Sequence, residues 1–255
     1  MNTLSIVIPA FNEGPRIAGT VAEVLAEADR WCHRCEILVV DDGSTDDTGV
    51  AVTRLVRAGL SVRLLRQERR AGKGAAIRRG VAESLGALVL LTDADLATPI
   101  DQMGRLLSRI AEGADIAIAS RAAPGARIMV HQAVLRELSG RLFNRLVRMT
   151  LLPGITDTQC GFKLFRGPLA RALFAESVVD GYAADVEVLS LARRAGFTIA
   201  EVPVEWSHVR GSKVRLLRDG ARMGWELADI WRRHAVMPAE QPPQAVPAER
   251  AATTQ

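Results

Sequence analysis

Cysteine is scarce in this chain, three in 255 residues. A small, odd number excludes a disulfide framework. Cys32-His33-Arg34-Cys35 has the CxxC spacing, but a zinc site needs two more ligands and no second pair exists. The two read as reduced thiols at a helix end. Aromatics make up 4% of the chain, so nothing points to stacking on bases, and no nucleic-acid partner is expected. No apolar stretch reaches bilayer-spanning length. The first apolar run, Leu4 to Ala10, is too short for a signal-peptide core and lacks a basic lead. A soluble cytoplasmic protein is the default expectation. There is no internal repeat, and the GxxxxGK[ST] spacing of a Walker loop is missing. The four histidines, His33, His131, His208 and His234, form no catalytic set.

What is present is enough for a sizeable core: 48% of residues are hydrophobic and 24% charged, consistent with one α/β domain. Strand patterns at 4–8, 36–40, 60–65, 88–92 and 115–119 alternate with helical patterns at 14–30, 46–58, 74–85 and 100–111. Ser44 or Thr45 is the expected N-cap of the second helix. Such alternation predicts a Rossmann-like, mostly parallel sheet with helices on both faces. Ligands would then sit at the carboxyl ends of the strands. The second half predicts a long amphipathic helix over 132–151, strands at 162–165 and 199–204, and helices over 182–194 and 214–233. The expected domain is 1–237, with a nucleotide-binding half to about 120 and an acceptor half beyond it. The Pro-, Gln-, Ala- and Thr-rich end, 238–255, reads as a disordered tail.

The chemistry collects at strand ends. Asp93-Ala94-Asp95 follows an apolar run, and side chains at i and i+2 of an extended segment point the same way. Two hard oxygen ligands on one side suit Mg²⁺ or Mn²⁺ carrying a diphosphate. Asp41 and Asp42 close an earlier strand, where a carboxylate accepts hydrogen bonds from ribose hydroxyls or a base N–H. Arg69-Arg70-Ala71-Gly72-Lys73-Gly74 is a basic, Gly-rich turn at a helix start, either a phosphate contact or a flexible basic loop. Pro9-Ala10-Phe11-Asn12-Glu13-Gly14 reads equally as a nucleotide-contacting turn or as an ordinary strand–helix loop.

Taken in order, Ile8-Pro9-Ala10-Phe11-Asn12-Glu13, Val40-Asp41-Asp42-Gly43-Ser44, Gly72-Lys73-Gly74 and Thr92-Asp93-Ala94-Asp95 resemble the family 2 glycosyltransferases of GT-A fold. Asp157-Thr158-Gln159-Cys160-Gly161-Phe162-Lys163, Asp185-Val186-Glu187 and Glu201-Val202-Pro203-Val204-Glu205-Trp206 are similar to the dolichyl-phosphate β-glucosyltransferase branch. That resemblance implies inverting transfer of glucose from UDP-glucose, a nucleotide-sugar donor, to a polyprenyl-phosphate lipid acceptor. A GDP-mannose donor or a hydroxyl acceptor is the alternative, and a non-catalytic nucleotide-sugar-binding scaffold the reading from another class. It further implies that Pro9, Asn12, Glu13 and Asp41 hold the nucleoside, with Asp42 and Lys73 near the ribose and base. Asp93 and Asp95 would serve Mg²⁺ or Mn²⁺ and the diphosphate. Ala97 stands where the mannosyl branch has a Gln metal ligand. Lys213 would meet the donor diphosphate. Arg121, Arg136, Ser139 and Arg141 would contact the acceptor; Asp157, Gln159 and Lys163 would line the sugar or acceptor pocket, or their segment only packs it. A lipid phosphate is already ionised and needs no general base; a hydroxyl acceptor would need one, with Asp157 and Asp185 as the candidates.

The basic residues Arg127, Arg136, Arg141, Arg145 and Arg148 flank Val134, Leu138, Leu142, Leu146 and Met149 at helical spacing, and the last helical segment pairs Arg residues with Trp225 and Trp231. Basic amphipathic helices with Trp fit an anionic membrane interface; packing on the sheet is the competing use of each stripe. The expected attachment is peripheral, to the cytoplasmic face, directly or through a membrane protein.

Overall fold

A computed structural model of the chain describes residues 3–32, 34–209 and 216–236; for 216–219 and 235–236 it describes the backbone alone. The first half follows the predicted alternation: β1 (Thr3–Ala10), α1 (Ile17–Ala28), β2 (Arg34–Asp41), α2 (Thr48–Arg57), β3 (Val62–Arg66), α3 (Lys73–Ala82), β4 (Leu88–Leu91), a 3-10 turn (Ile100–Gln102) running into α4 (Met103–Ala111), and β5 (Ile116–Ser120). Then come β6 (Arg127–Val130), α5 (Val134–Thr150), β7 (Lys163–Arg166), α6 (Gly167–Glu176), α7 (Ala184–Arg194), β8 (Ile199–Pro203), β9 (Glu205–Ser207) and α8 (Leu216–Val236). The expected 238–255 tail lies outside the described residues.

The seven-stranded sheet runs β3-β2-β1-β4-β7-β5-β8. All pairings are parallel except those of β7, which is antiparallel to both β4 and β5. Strands buried on both faces need apolar residues at successive positions. In β1, Ile6 and Ile8 enter one core with α1 and α4, while Val7 enters the other with α3, α6 and α7. Because β1, β2, β4 and β5 run the same way, their carboxyl ends open on one edge. β6 and β9 form a separate two-stranded parallel sheet beside that edge.

Three local expectations are corrected. The hydroxyl of Ser44 does not cap α2; it accepts a hydrogen bond from the Asn12 amide at 2.9 Å. Strand β4 ends at Leu91, and Asp93–Asp95 form a turn closed by Leu96 N–H to Asp93 C=O, with Leu96 at φ +47°. β6, β9 and α6 have no counterpart among the predicted elements: the strands are four and three residues long and only partly buried. For α6 the available signals were Pro168 in its first turn and the spacing of Leu169, Leu173 and Phe174.

Candidate active site

The loops after β1 and β2 are laced to each other. Asn12 adopts φ +54°, a conformation Asn tolerates better than most residues. Its side-chain oxygen accepts from Thr45 N–H at 2.9 Å, and the Glu13 amide donates to the Thr48 hydroxyl at 2.8 Å. Asn12 therefore shapes the loop, while Pro9, Phe11 and Glu13 reach a cavity of about 780 Å³ at the strand ends. Asp41 is fully buried; one carboxylate oxygen takes the Ser44 amide at 2.8 Å, and the other has no hydrogen-bond partner among the described residues, with Arg66 Nε 3.7 Å away. Asp42 faces the cavity and accepts from the amides of Ala71 and Gly72 at 2.7 and 3.0 Å. Burial raises its pKa, and those two amides partly offset the rise. The Arg70 guanidinium lies 4.1 Å from the centre of the Phe11 ring, a cation–π contact on the same wall.

At the centre, a turn rather than an extended strand aims the acid pair. Thr20 Oγ1 donates to Ala94 C=O at 2.7 Å, and the Ala97 amide donates to Asp95 Oδ1 at 3.1 Å. Lys73, the first residue of α3, places Nζ 2.6 Å from Asp93 Oδ1. Lys73, expected near the ribose and base, thus stands at the acid pair. Burial would raise the Asp93 pKa, but the Lys73 charge overcomes it and holds the carboxyl below its ordinary range. Asp95 moves the other way, raised by burial and by the neighbouring Asp93 charge. Among the described residues Asp95 has the Ala97 amide and no ion-pair partner. Gly161 completes the floor, since a Cβ there would lie 2.1 Å from Asp93 Oδ2.

On the far side Arg121 leaves β5 and meets Asp157 through two parallel bonds, Nε to Oδ2 at 2.7 Å and Nη2 to Oδ1 at 2.8 Å. Asp157, 1% exposed, also accepts from the amides of Arg121 and Gln159. Glu201 fixes the same loop by accepting from the amides of Thr156 and Asp157. Against the cost of burial, the Arg121 charge and these donors hold the Asp157 pKa at about 2; the same pairing raises that of Arg121. The guanidinium lies 5.5 Å from the Trp206 ring centre. Beneath Gly161, the buried Lys163 donates to Asp185 and to Cys160 C=O, each at 2.5 Å.

The cavity brings together Pro9, Glu13, Asp42, Lys73, Asp93, Asp95, Arg121, Arg136, Ser139 and Gln159. Asn12, Asp41, Arg141 and Asp157 are not on its wall. Asp157 is used up inside its loop, Asp41 is buried at the end of β2 with one oxygen on the Ser44 amide, and Arg141 points outward, 3.8 Å from Glu137. Lys213 and His33 lie outside the described residues. His131 contacts Glu137, His234 contacts Ser190, and His208 lines the cavity beside Trp206. Gly161, Trp206 and Lys163 belong to the quoted sequence runs, but only the fold gives them partners. Among the described residues Gln159 Nε2 is buried without a partner, a donor left for a ligand oxygen. The outer wall is apolar, from Leu142, Phe143 and Leu146 of α5 and Met223 of α8.

Residues 5–174 match the sequence model of the family described as Glycosyl transferase family 2. A curated relative, dolichyl-phosphate beta-glucosyltransferase ALG5C of Trichomonas vaginalis, is 37% identical over 83% of this chain and 66% of its own length. The dolichyl-phosphate beta-glucosyltransferase of Mus musculus is 35% identical over 89% of this chain and 74% of its own. Glycosyltransferase AglD of Haloferax volcanii is 32% identical over 92% of this chain but only 38% of its own. The chain thus spans about two thirds to three quarters of the first two and much less of the third. Among solved structures, glucosyl-3-phosphoglycerate synthase of Mycobacterium tuberculosis superposes with a TM-score of 0.67 at 23% identity, covering 93% of this chain and 82% of that one. The same enzyme has been solved with Mn²⁺, UDP and phosphoglyceric acid (TM-score 0.66, 24% identity, 93% of this chain and 80% of that one). These likenesses show the GT-A fold.

Proposed function

The chain belongs to glycosyltransferase family 2, and from that premise we propose that it moves glucose from UDP-glucose to the phosphate of a polyprenyl, dolichyl-type lipid with inversion at the anomeric carbon. The names of the relatives support the glucosyl group and the lipid acceptor. One observation carries the reading for this chain: a single cavity joins an acidic floor at Asp93 and Asp95, a cation at Arg121, and an apolar wall from α5 and α8. A nucleoside diphosphate, an anionic acceptor and an acyl-like chain each have a matching surface there.

The residues fit Mg²⁺ or Mn²⁺. Among the described residues Asp95 makes no ion pair, and Asp93 stands beside it, both hard oxygen donors. With Ala97 supplying no third side chain, diphosphate and water oxygens would complete the shell. Bound there, the metal would offset charge on the departing diphosphate.

The chain's own residues set up the rest. Pro9, Phe11, Glu13 and Asp42 flank the nucleoside. Arg121 receives the lipid phosphate, its fork already oriented by Asp157. A phosphate oxygen attacks the anomeric carbon, the carbon–oxygen bond to the diphosphate breaks, and its electron pair leaves with UDP; no proton moves. The two candidate bases suit a hydroxyl acceptor poorly: Asp157 is held at about 2 and Asp185 is bound to Lys163. Gln159 Nε2 offers a donor to a sugar or phosphate oxygen. Arg136 and Ser139 of α5 flank the route to the lipid.

Among the described residues no helix is long and apolar enough to cross a membrane. Attachment is peripheral, at the cytoplasmic face, through the apolar and basic surface of α5 and α8. The deciding assay is labelled-sugar transfer in detergent with and without polyprenyl phosphate. Lipid-dependent product from UDP-glucose, lost in Asp95→Asn, is expected. Product formed without lipid phosphate, or undiminished turnover of Asp95→Asn, overturns the reading.

A further inference from the structure

The acid pair already has a cation, and that cation belongs to the protein. Lys73 Nζ sits 2.6 Å from Asp93 Oδ1, on a carboxylate that would help hold a divalent ion. The chain has three lysines among 33 basic residues; two of them, Lys73 and Lys163, are at this site. Lysine concentrates its charge at the end of a flexible stem, as a metal ion concentrates its own.

The backbone beneath Lys73 is fixed from two sides. Asp42 accepts the amides of Ala71 and Gly72, and the Asp180 carbonyl accepts that of Gly74 at 2.8 Å. Gly72 and Gly74 pack directly on that neighbouring backbone, since a Cβ on either would lie 2.3–2.4 Å from the backbone oxygens of Asp180 and Val179. The ammonium moves most readily by swinging its flexible side chain. A divalent ion alone would bring a total of three positive charges to two carboxylates. A nucleoside diphosphate removes that conflict, because its oxygens can take both the ion and the ammonium.

We propose that Lys73 is a tethered counter-cation that keeps Asp93 closed to metal until the donor diphosphate draws it away, so that metal and nucleotide bind as a coupled pair. This rests on the reading of Asp93 and Asp95 as the metal–diphosphate site. Linkage makes the coupling reciprocal: UDP tightens Mn²⁺, and Mn²⁺ tightens UDP by the same factor.

Mn²⁺ uptake, followed by the electron paramagnetic resonance signal of the free ion with and without UDP, tests this on the whole chain. Wild type is expected to take up Mn²⁺ weakly alone and tightly with UDP. Lys73→Met should bind Mn²⁺ alone about tenfold more tightly than wild type, with a smaller gain on adding UDP. Lys73→Arg, which keeps the charge, should follow wild type; thermal unfolding checks that each variant is folded. If wild type shows UDP-dependent uptake that Asp95→Asn abolishes, yet Lys73→Met binds the ion alone no better than wild type, the counter-cation role is wrong and the site stands. The role is equally wrong if Lys73→Arg follows Lys73→Met. If wild type takes up no Mn²⁺ with UDP, or Asp95→Asn leaves uptake unchanged, the site itself is wrong and the proposal falls with it.

Discussion

Asp93, half-buried, and Asp157, buried, are both carboxylates facing a cation, yet the surroundings give them different duties. Asp93 has Lys73 on one side and the bare Cα of Gly161 on the other, so it keeps one face toward the cavity. Asp157 is saturated by Arg121 and by backbone amides, which makes it a positioning group for Arg121. The consequence is a pH signature. Its folded pKa of about 2 lies below the ordinary carboxylate value of 3.8. A depressed carboxyl stabilises fully above the unfolded pKa and loses that stability as pH falls through the folded one. The Arg121–Asp157 pair is thus expected to contribute about 2 kcal/mol that disappears between about pH 4 and pH 2. Asp157→Asn should cost on the order of 3 kcal/mol near neutrality, because Arg121 is left half-buried without its counter-charge. The gap to wild type should then narrow across that acid window. Urea midpoints measured against pH check it, and a gap that stays constant down to pH 2 contradicts the assignment.

Helix α5 is the element whose packing least resembles its composition. Of its seventeen residues only Val147 is buried, although Val134, Leu138, Leu142, Leu146 and Met149 form a stripe. The stripe was legible in the sequence; its exposure was not, because periodicity reports that a face exists and not what covers it. The same limit explains β7. Phe162–Phe165 reads as a buried run, but apolar content does not encode direction, and only the fold shows it antiparallel between β4 and β5. By contrast β1, β2, β4 and β5 declared themselves, since strands covered on both faces leave short runs dominated by Ile, Leu, Val and Ala. Leu138 and Met149, 62% and 72% exposed, lie off the cavity wall, so they separate membrane contact from catalysis. The double variant Leu138→Asp, Met149→Asp should lose at least about tenfold in binding to protein-free vesicles rich in anionic lipid. Folding stability should move little, as for other exposed positions, and UDP binding should be unchanged. Vesicle cosedimentation equal to wild type would assign the face to a protein partner instead.

Across the whole molecule, acids and bases drawn from separate parts of the chain converge on one edge of the sheet. That convergence could be anticipated from the order of the strand-end motifs, because parallel strands share a carboxyl edge. Which atoms pair there could not. Arg121 finds Asp157 36 positions away, Asp93 is braced by Gly161, and Lys73 lies at the acid pair, none of which spacing encodes. The donor base is the part of the reading that depends most on the family, yet it has a global readout. A ligand that binds only the native state stabilises it by mass action, about 2.7 kcal/mol at a hundred times its dissociation constant. For a chain of this size that corresponds to roughly 5–10 °C in the unfolding midpoint. UDP with Mn²⁺ is therefore expected to raise the midpoint by about that much, and GDP with Mn²⁺ by clearly less at equal concentration. The ion alone should do little while Lys73 holds Asp93. Should GDP match or exceed UDP, the pocket formed by Phe11, Arg70 and Asp42 accepts a purine, and the donor assigned to this chain must change with it.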